Sequence, residues 1–180
     1  MIHPIYLIKE LAMKFLKNTL TSVLLLSTLS NFALGGTFEQ DGVKEGNNKI
    51  SVGLYTTFPD EGDTSMTLYG GIGHFLTDDI ELVFDTMINT SNGDTLYYLK
   101  PGANYYFMKT PTLTPYVGAN IYYFDSTIDN ADSSYGNNYH IGAHQFFSEN
   151  AAVTAEVGMD FFEFDDYLQS YSNIYLTYFF

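Results

Sequence analysis

The sequence contains no cysteine, no tryptophan and no arginine. Without cysteine there is no disulfide framework, no thiolate metal site, no cysteine nucleophile and no lipid-modified cysteine anchor. Without arginine, positive charge rests on seven lysines against twenty-one acidic residues, a formal net charge of −14. No basic stripe is left to neutralise phosphates, which argues against nucleic acid as a partner. An acidic chain poor in aromatics would read as disordered. Here 16 tyrosines and 15 phenylalanines recur periodically, which excludes disorder for most of the chain. A length of 180 residues suits one domain.

The N-terminus has the three-part layout of a secretory signal. Lys14 and Lys17 precede an apolar run from Leu20 to Leu34, and Ala33-Leu34-Gly35 supplies small residues at the positions that signal peptidase reads. Residues 1–35 are therefore expected to be a signal peptide, with Met13 a possible true start. A transmembrane helix is the competing reading. The run is shorter than the roughly 18 to 20 apolar residues a bilayer needs and is interrupted by Ser27, Thr28, Ser30 and Asn31. Cleavage leaves four lysines against twenty acids, a formal charge of −16.

Residues 36–46 are polar and glycine-rich, and read as a flexible periplasmic leader. Beyond them, alternating segments separated by turn residues predict strands near 49–58, 65–76, 79–89, 96–107, 115–125, 137–147, 151–162 and 171–180. One face is apolar, as in Ile50, Val52 and Leu54, in Leu82, Phe84 and Ile88, and in Val117, Ala119 and Ile121. By this phasing its one charged residue is Asp125, at a strand end. The other face is polar or small, with Lys49, Ser51, Glu81, Asp85, Lys100, Asn104, His140, His144, Glu156 and Asp160 interleaved with glycine and tyrosine. Apolar outward and polar inward is the pattern of a barrel in lipid, and a soluble β-protein shows the reverse. The predicted strand lengths match the roughly 9 to 11 residues that cross a bilayer at a tilt.

The chain thus resembles the small outer-membrane β-barrel proteins of Gram-negative bacteria, of the OmpA transmembrane-domain and OmpX type, over residues 47–180. One token is the last strand, Ile174-Tyr175-Leu176-Thr177-Tyr178-Phe179-Phe180. Its alternating Ile174, Leu176, Tyr178 and terminal Phe180 are similar to the signal by which the barrel-assembly machinery recognises its clients. The other is Gly70-Gly71-Ile72-Gly73-His74-Phe75-Leu76-Thr77-Asp78-Asp79, similar to a strand–turn stretch common in these barrels. The resemblance implies an all-β, closed, antiparallel, up-and-down barrel of about eight strands, monomeric, reaching the outer membrane through the periplasm. Lipid, lipopolysaccharide and the assembly machinery are its expected partners. Both termini would lie on the periplasmic side, and the loops at 59–64, 90–95, 126–136 and 163–170 would be extracellular.

Candidate chemistry is sparse. His140 and His144 share the inward face of one strand, beside Glu156 and Asp160 on the next, which raises a metal site. Two residues four apart on a strand are about 13 Å apart, so the histidines cannot share an ion, and a hydrogen-bonded interior network is the better expectation. Asp85 and Lys100 are expected to face each other across the 90–95 loop as an interior ion pair. Asp60, Glu61, Asp63, Asp94, Asp129, Asp132, Glu163, Asp165 and Asp166 make the loops acidic. This is read as a solvated rim, with divalent-cation bridging to lipopolysaccharide as the sharper alternative. No cofactor or catalytic residue is expected. The favoured function is a structural, adhesive or envelope-stabilising barrel, since loops would carry any contact. A lipid-A-modifying enzyme would need a Ser–His–acid set at the lipid-facing rim. An open pore is opposed by the narrow bore of eight strands, filled by residues such as Tyr55, Tyr69, Tyr122 and Phe146. A soluble lipocalin-like binder is the leading alternative outside the membrane.

Overall fold

The computed structural model describes residues 40–57, 65–91, 93–127, 133–162 and 168–180. The predicted signal peptide, including Met13, lies outside them, as do Asp60, Glu61, Asp63, Asp129, Asp132, Glu163, Asp165 and Asp166 in the predicted loops. Eight strands run up and down in chain order: β1 (Asn48–Thr57), β2 (Ser65–Phe75), β3 (Ile80–Ser91), β4 (Asp94–Tyr106), β5 (Leu113–Ser126), β6 (Ser134–Phe146), β7 (Ala151–Phe162) and β8 (Leu168–Phe179). Each pairs antiparallel with its sequence neighbours, and β8 closes onto β1. The closing seam is short. Lys49–Val52 pair with Leu176–Phe179, at the end of the barrel where the tight turns lie (the turn end). At the opposite, loop end the β1–β2, β5–β6 and β7–β8 connections are longer, but the loop expected at 90–95 is corrected: β3 and β4 stay paired through Ser91 and Asp94, which leaves only residues 92–93 between them.

All eight strands fall where the alternating pattern predicts them. The largest shifts are at β6 and β8, whose loop ends start three residues earlier than expected. There the polar run Ser134-Tyr135-Gly136 masks a strand that continues by backbone pairing to β5.

The phase is as read from the sequence. Leu54, Ile72, Ile121 and Leu176 point outward and are 52 to 65% exposed along with Val52, Met66 and Leu68. Lys49, Glu81, Lys100, Asn104, Asn138, His140 and His144 are buried in the lumen. Four bulky inward rings fit because they sit opposite a glycine on the neighbouring strand. Tyr69 faces Gly53, Tyr116 faces Gly142 and Tyr122 faces Gly136, and Tyr171 faces Gly158. A side chain added at Gly142 would meet the Tyr116 ring, and one at Gly158 the Tyr171 ring. An eight-stranded bore is just wide enough for side chains to fill, so these glycines leave the room that the four rings occupy.

The turn end is sealed by Phe75, Phe146 and Phe179, all wholly buried, with Tyr106, Tyr116, Ala152 and Val43. The Phe146 and Phe179 ring centroids are 5.1 Å apart. Val43 corrects the expectation of a flexible leader for its described part, residues 40–46. This segment lies across the mouth, with Gly42 against the Phe179 ring, the Gly46 amide donating to the Phe75 carbonyl at 2.9 Å and the Asp41 amide to the Glu149 carbonyl at 3.3 Å. Its one apolar side chain is enough to anchor it, because the mouth offers aromatic surface and Gly42 lets the backbone come close.

Candidate functional site in the polar lumen

Above the aromatic seal the lumen is a set of linked polar clusters, each built from inward residues of several strands. The deepest centres on Glu81 of β3. Lys49 of β1 lies 2.8 Å from one carboxylate oxygen and 2.9 Å from the other. Tyr106 donates to Glu81 at 2.6 Å and Asn104 at 3.0 Å. Glu81 is fully buried and Lys49 nearly so. The pair reaches over β2 and is possible only because Gly73 stands between. A Cβ there would run into the Glu81 carboxylate and come within 3.1 Å of the Lys49 Cε. Gly73→Ala is therefore expected to cost about 1 to 3 kcal/mol, as overpacking in a filled interior does, read as a lowered urea midpoint of the folded barrel.

A hydrogen-bonded chain runs from this pair around the bore. The Tyr106 hydroxyl lies 3.0 Å from His144 Nε2. Because Tyr106 spends its single proton on Glu81, its oxygen accepts from His144, which fixes the Nε2–H tautomer. His144 Nδ1 then accepts from Thr154 at 2.7 Å. Thr154 contacts Thr177 at 2.6 Å, and Thr177 contacts Ser51 at 3.0 Å. Ser51 and Lys49 both belong to β1, so the chain returns to the strand on which it began.

A second cluster gathers three tyrosines on Glu156 of β7. Tyr116 donates at 2.8 Å, Tyr171 at 3.0 Å and Tyr175 at 3.0 Å. His140 Nε2 lies 3.8 Å from the same carboxylate, and its ring is held by Asn138 at 2.8 Å and Asn104 at 2.8 Å. Both imidazoles therefore spend their nitrogens on protein partners. Among the described residues no group of three or more His, Asp or Glu side chains is placed to hold a metal ion; of the four residues singled out, His140 and Glu156 meet, while His144 and Asp160 have other partners.

Asp85 and Lys100 are Cα partners across β3 and β4, the register expected of them. Their side chains nevertheless find other partners, and the predicted ion pair is corrected here. Asp85 accepts from the Tyr69 hydroxyl at 2.6 Å and from Asn120 at 3.4 Å. Lys100 reaches across the bore to Asp160 of β7 at 3.5 Å. Tyrosine hydroxyls satisfy a carboxylate without a second desolvated charge, and the lysine stem is long enough to span a lumen this narrow.

The clusters built on Lys49–Glu81 and on the Tyr116–Tyr171–Tyr175 triad were not singled out from the sequence. The available signal was positional: all these residues fall on the predicted inward face, where a charge without a partner is untenable.

No family model matches the chain, and no curated protein does. Among solved structures it is similar to the N-terminal β-barrel domain of OprF from Pseudomonas aeruginosa, at 22% identity and a TM-score of 0.61 over 76% of this chain and 98% of that one. It is also similar to the outer membrane protein OprG of the same organism, at 16% identity and 0.52 over 79% and 99%. A de novo designed transmembrane β-barrel aligns at 25% identity and 0.52 over 76% and 98%. At these identities the likeness is one of architecture, and the closed eight-stranded antiparallel barrel of this chain is the fold of the small outer-membrane β-barrel proteins.

Proposed function

We propose that the chain is an integral outer-membrane protein whose role is structural, adhesive or envelope-stabilising, without enzymatic activity. One observation carries this reading. The outer wall is an aliphatic band between two aromatic girdles. Ile50, Val52, Ile72, Leu82, Leu99, Val117, Ile121 and Leu176 form the band, with Tyr105, Phe107, Phe147, Tyr178 and Phe180 exposed toward the turn end and Tyr97, Tyr135 and Phe161 toward the loop end. Aromatics at both interfaces around an apolar belt are what a lipid-spanning barrel presents. Water would penalise such a contiguous greasy surface.

On this reading the turn end faces the periplasm, the loop end faces outward, and lipid and lipopolysaccharide are the immediate partners. The terminal Ile174, Leu176, Tyr178 and Phe180, all outward and exposed, serve the assembly machinery. A lipid-modifying enzyme is disfavoured because the hydroxyl–imidazole contacts of the described lumen, Tyr106 and Thr154 with His144, are buried, beyond the reach of a lipid headgroup. The buried phenylalanines at the turn end likewise argue against a wide pore.

Fractionation of cells expressing the full chain tests the proposal. The expected result is recovery in the outer membrane after a urea wash, with a gel mobility that changes on boiling. Recovery in the soluble fraction with no heat-dependent shift would overturn it in favour of a lipocalin-like binder. Deletion of Phe180 is expected to lower the heat-modifiable form in cells several-fold while leaving the barrel able to refold from urea into detergent, which separates an assembly signal from a packing role.

A further inference from the structure

Among the described residues, the loop-end half of the lumen is less completely filled than the rest. A cavity of about 500 Å³ lies there, bounded by inward residues of β2, β3, β4, β7 and β8, including Thr67, Asn89, Tyr98, Lys100, Asp160 and Asn173. This volume falls in the roughly 300 to 1,000 Å³ range of small-ligand pockets. Its central group is Lys100, only 9% exposed. The ammonium carries three protons, yet among the described residues it has one polar partner, Asp160 at 3.5 Å. Around it stand the rings of Tyr171 at 5.3 Å, Tyr122 at 5.4 Å and Tyr98 at 5.8 Å. Lys49 contrasts with it, contacting both oxygens of Glu81 at 2.8 and 2.9 Å. A buried ammonium with donors to spare, aimed into a cavity, is suited to receive a ligand oxygen.

The wall narrows the class of ligand. Lys100 and Asp160 balance each other, so the chamber is locally neutral. A free anion would meet Asp160 beside the lysine, with Asp85 and Glu156 deeper in the lumen, on a chain whose formal charge is −14. A cation would meet Lys100. An apolar ligand would bury amide, hydroxyl and charged groups without satisfying them. What fits is a neutral molecule dense in groups that both donate and accept. Lys100 and the Tyr98 hydroxyl offer protons, Asp160 and the amides of Asn89 and Asn173 take or give them, and tyrosine rings supply flat apolar surface. Tyr98, Asp160, Tyr171 and Asn173 are only partly buried, so solvent reaches the chamber. We propose that it binds a short neutral saccharide, with Lys100 and Asp160 as its paired anchor. This goes beyond the membrane assignment and holds in micelles whichever way that assignment falls.

Two sources share this chemistry, a free oligosaccharide and the sugars of lipopolysaccharide. Full-length folded protein in lipopolysaccharide-free micelles, with amide resonances followed by NMR, is titrated with maltotriose and separately with the neutral outer-core hexose oligosaccharide of lipopolysaccharide, freed of its acidic sugars and phosphates. The expected result is saturable shifts at Asn89, Tyr98, Lys100 and Asn173, with Lys49 and Glu81 unmoved. Saturation by maltotriose identifies the free source, and saturation by the core oligosaccharide alone identifies the lipid-borne one. Lys100→Met and Asp160→Asn are each expected to weaken binding tenfold or more. The second keeps shape and the Asn138 contact, so it stands as the test if the first does not fold. No saturable shift with either saccharide, shifts unchanged in Asp160→Asn, or stronger binding of inorganic phosphate than of either sugar would each overturn the proposal.

Discussion

Replacing Lys49 with methionine is expected to destabilise the folded barrel by about 3 to 5 kcal/mol, the range seen when one partner of a buried ion pair is removed. The methionine fills most of the lysine's volume, so the loss is electrostatic in origin. Glu81 stays wholly buried as a carboxylate, holding the hydrogen bonds of Tyr106 and Asn104 but no counter-charge. The double variant Lys49→Met/Glu81→Gln is expected to recover most of the loss. Glutamine keeps an oxygen for Tyr106 and Asn104, and no buried charge remains to be balanced. Urea titration in micelles, followed by the heat-dependent gel shift, gives all the corners of that cycle once Glu81→Gln is added. Equal and additive losses at the two sites would mean that the pair does not act as a unit. Lys100→Met provides the internal contrast. Asp160 keeps the 2.8 Å bond from Asn138 and is partly exposed, so its loss should be near 1 kcal/mol, the scale of one weakly held charged contact.

This contrast marks the limit of what the sequence makes legible. Alternation of period two assigns each residue to a face, and in a closed barrel that is enough to sort lumen from exterior. Nearest-neighbour register is also readable, because a short hairpin loop fixes it; Asp85 and Lys100 are Cα partners for that reason. Partners that are not on adjacent strands are a different matter. Lys49 reaches Glu81 across β2, and Lys100 reaches Asp160 from β4 to β7. Which strands meet across the bore depends on shear and tilt, which the alternation of any one strand does not encode. The same holds for Tyr116, which reaches Glu156 from β5 to β7, whereas Tyr171 and Tyr175 come from the adjacent β8. The glycines were the missed clue. Gly73 on β2 marks the place where two side chains pass over a strand, and the glycines facing Tyr69, Tyr116, Tyr122 and Tyr171 mark where a ring lies against the neighbouring strand.

The leader is a second case. Residues 40–46 have the composition of a linker, and local propensity alone reads them so. The aromatic seal beneath them is assembled from β2, β4, β5, β6 and β8, five strands far apart in sequence. Only once the barrel closes does a surface exist for Val43 to cover. A tertiary surface overrides the local signal, and a segment with a single apolar residue gives periodicity nothing to detect.

A lysine placed on the outer wall separates a lipid-facing surface from a wet one more directly than any comparison of folds. Val52 lies mid-strand in β1, 53% exposed, between Leu176 of β8 and Gly70 of β2. Phe107, 50% exposed, follows β4 at the turn-end girdle. In a bilayer, Val52→Lys is expected to cost about 2 to 4 kcal/mol and Phe107→Lys about 0 to 1, because the penalty for a charge falls steeply from the midplane to the interface. The two positions are almost equally accessible, so in water the depth argument disappears and each substitution should stay within about 0.5 kcal/mol of neutral. Reversible urea unfolding into and out of phospholipid vesicles measures both. A difference of about 2 kcal/mol or more between them fixes the aliphatic band at the bilayer core. Equal, small effects would mean that the exposed belt meets water, and the membrane-spanning reading of the barrel would fail with it.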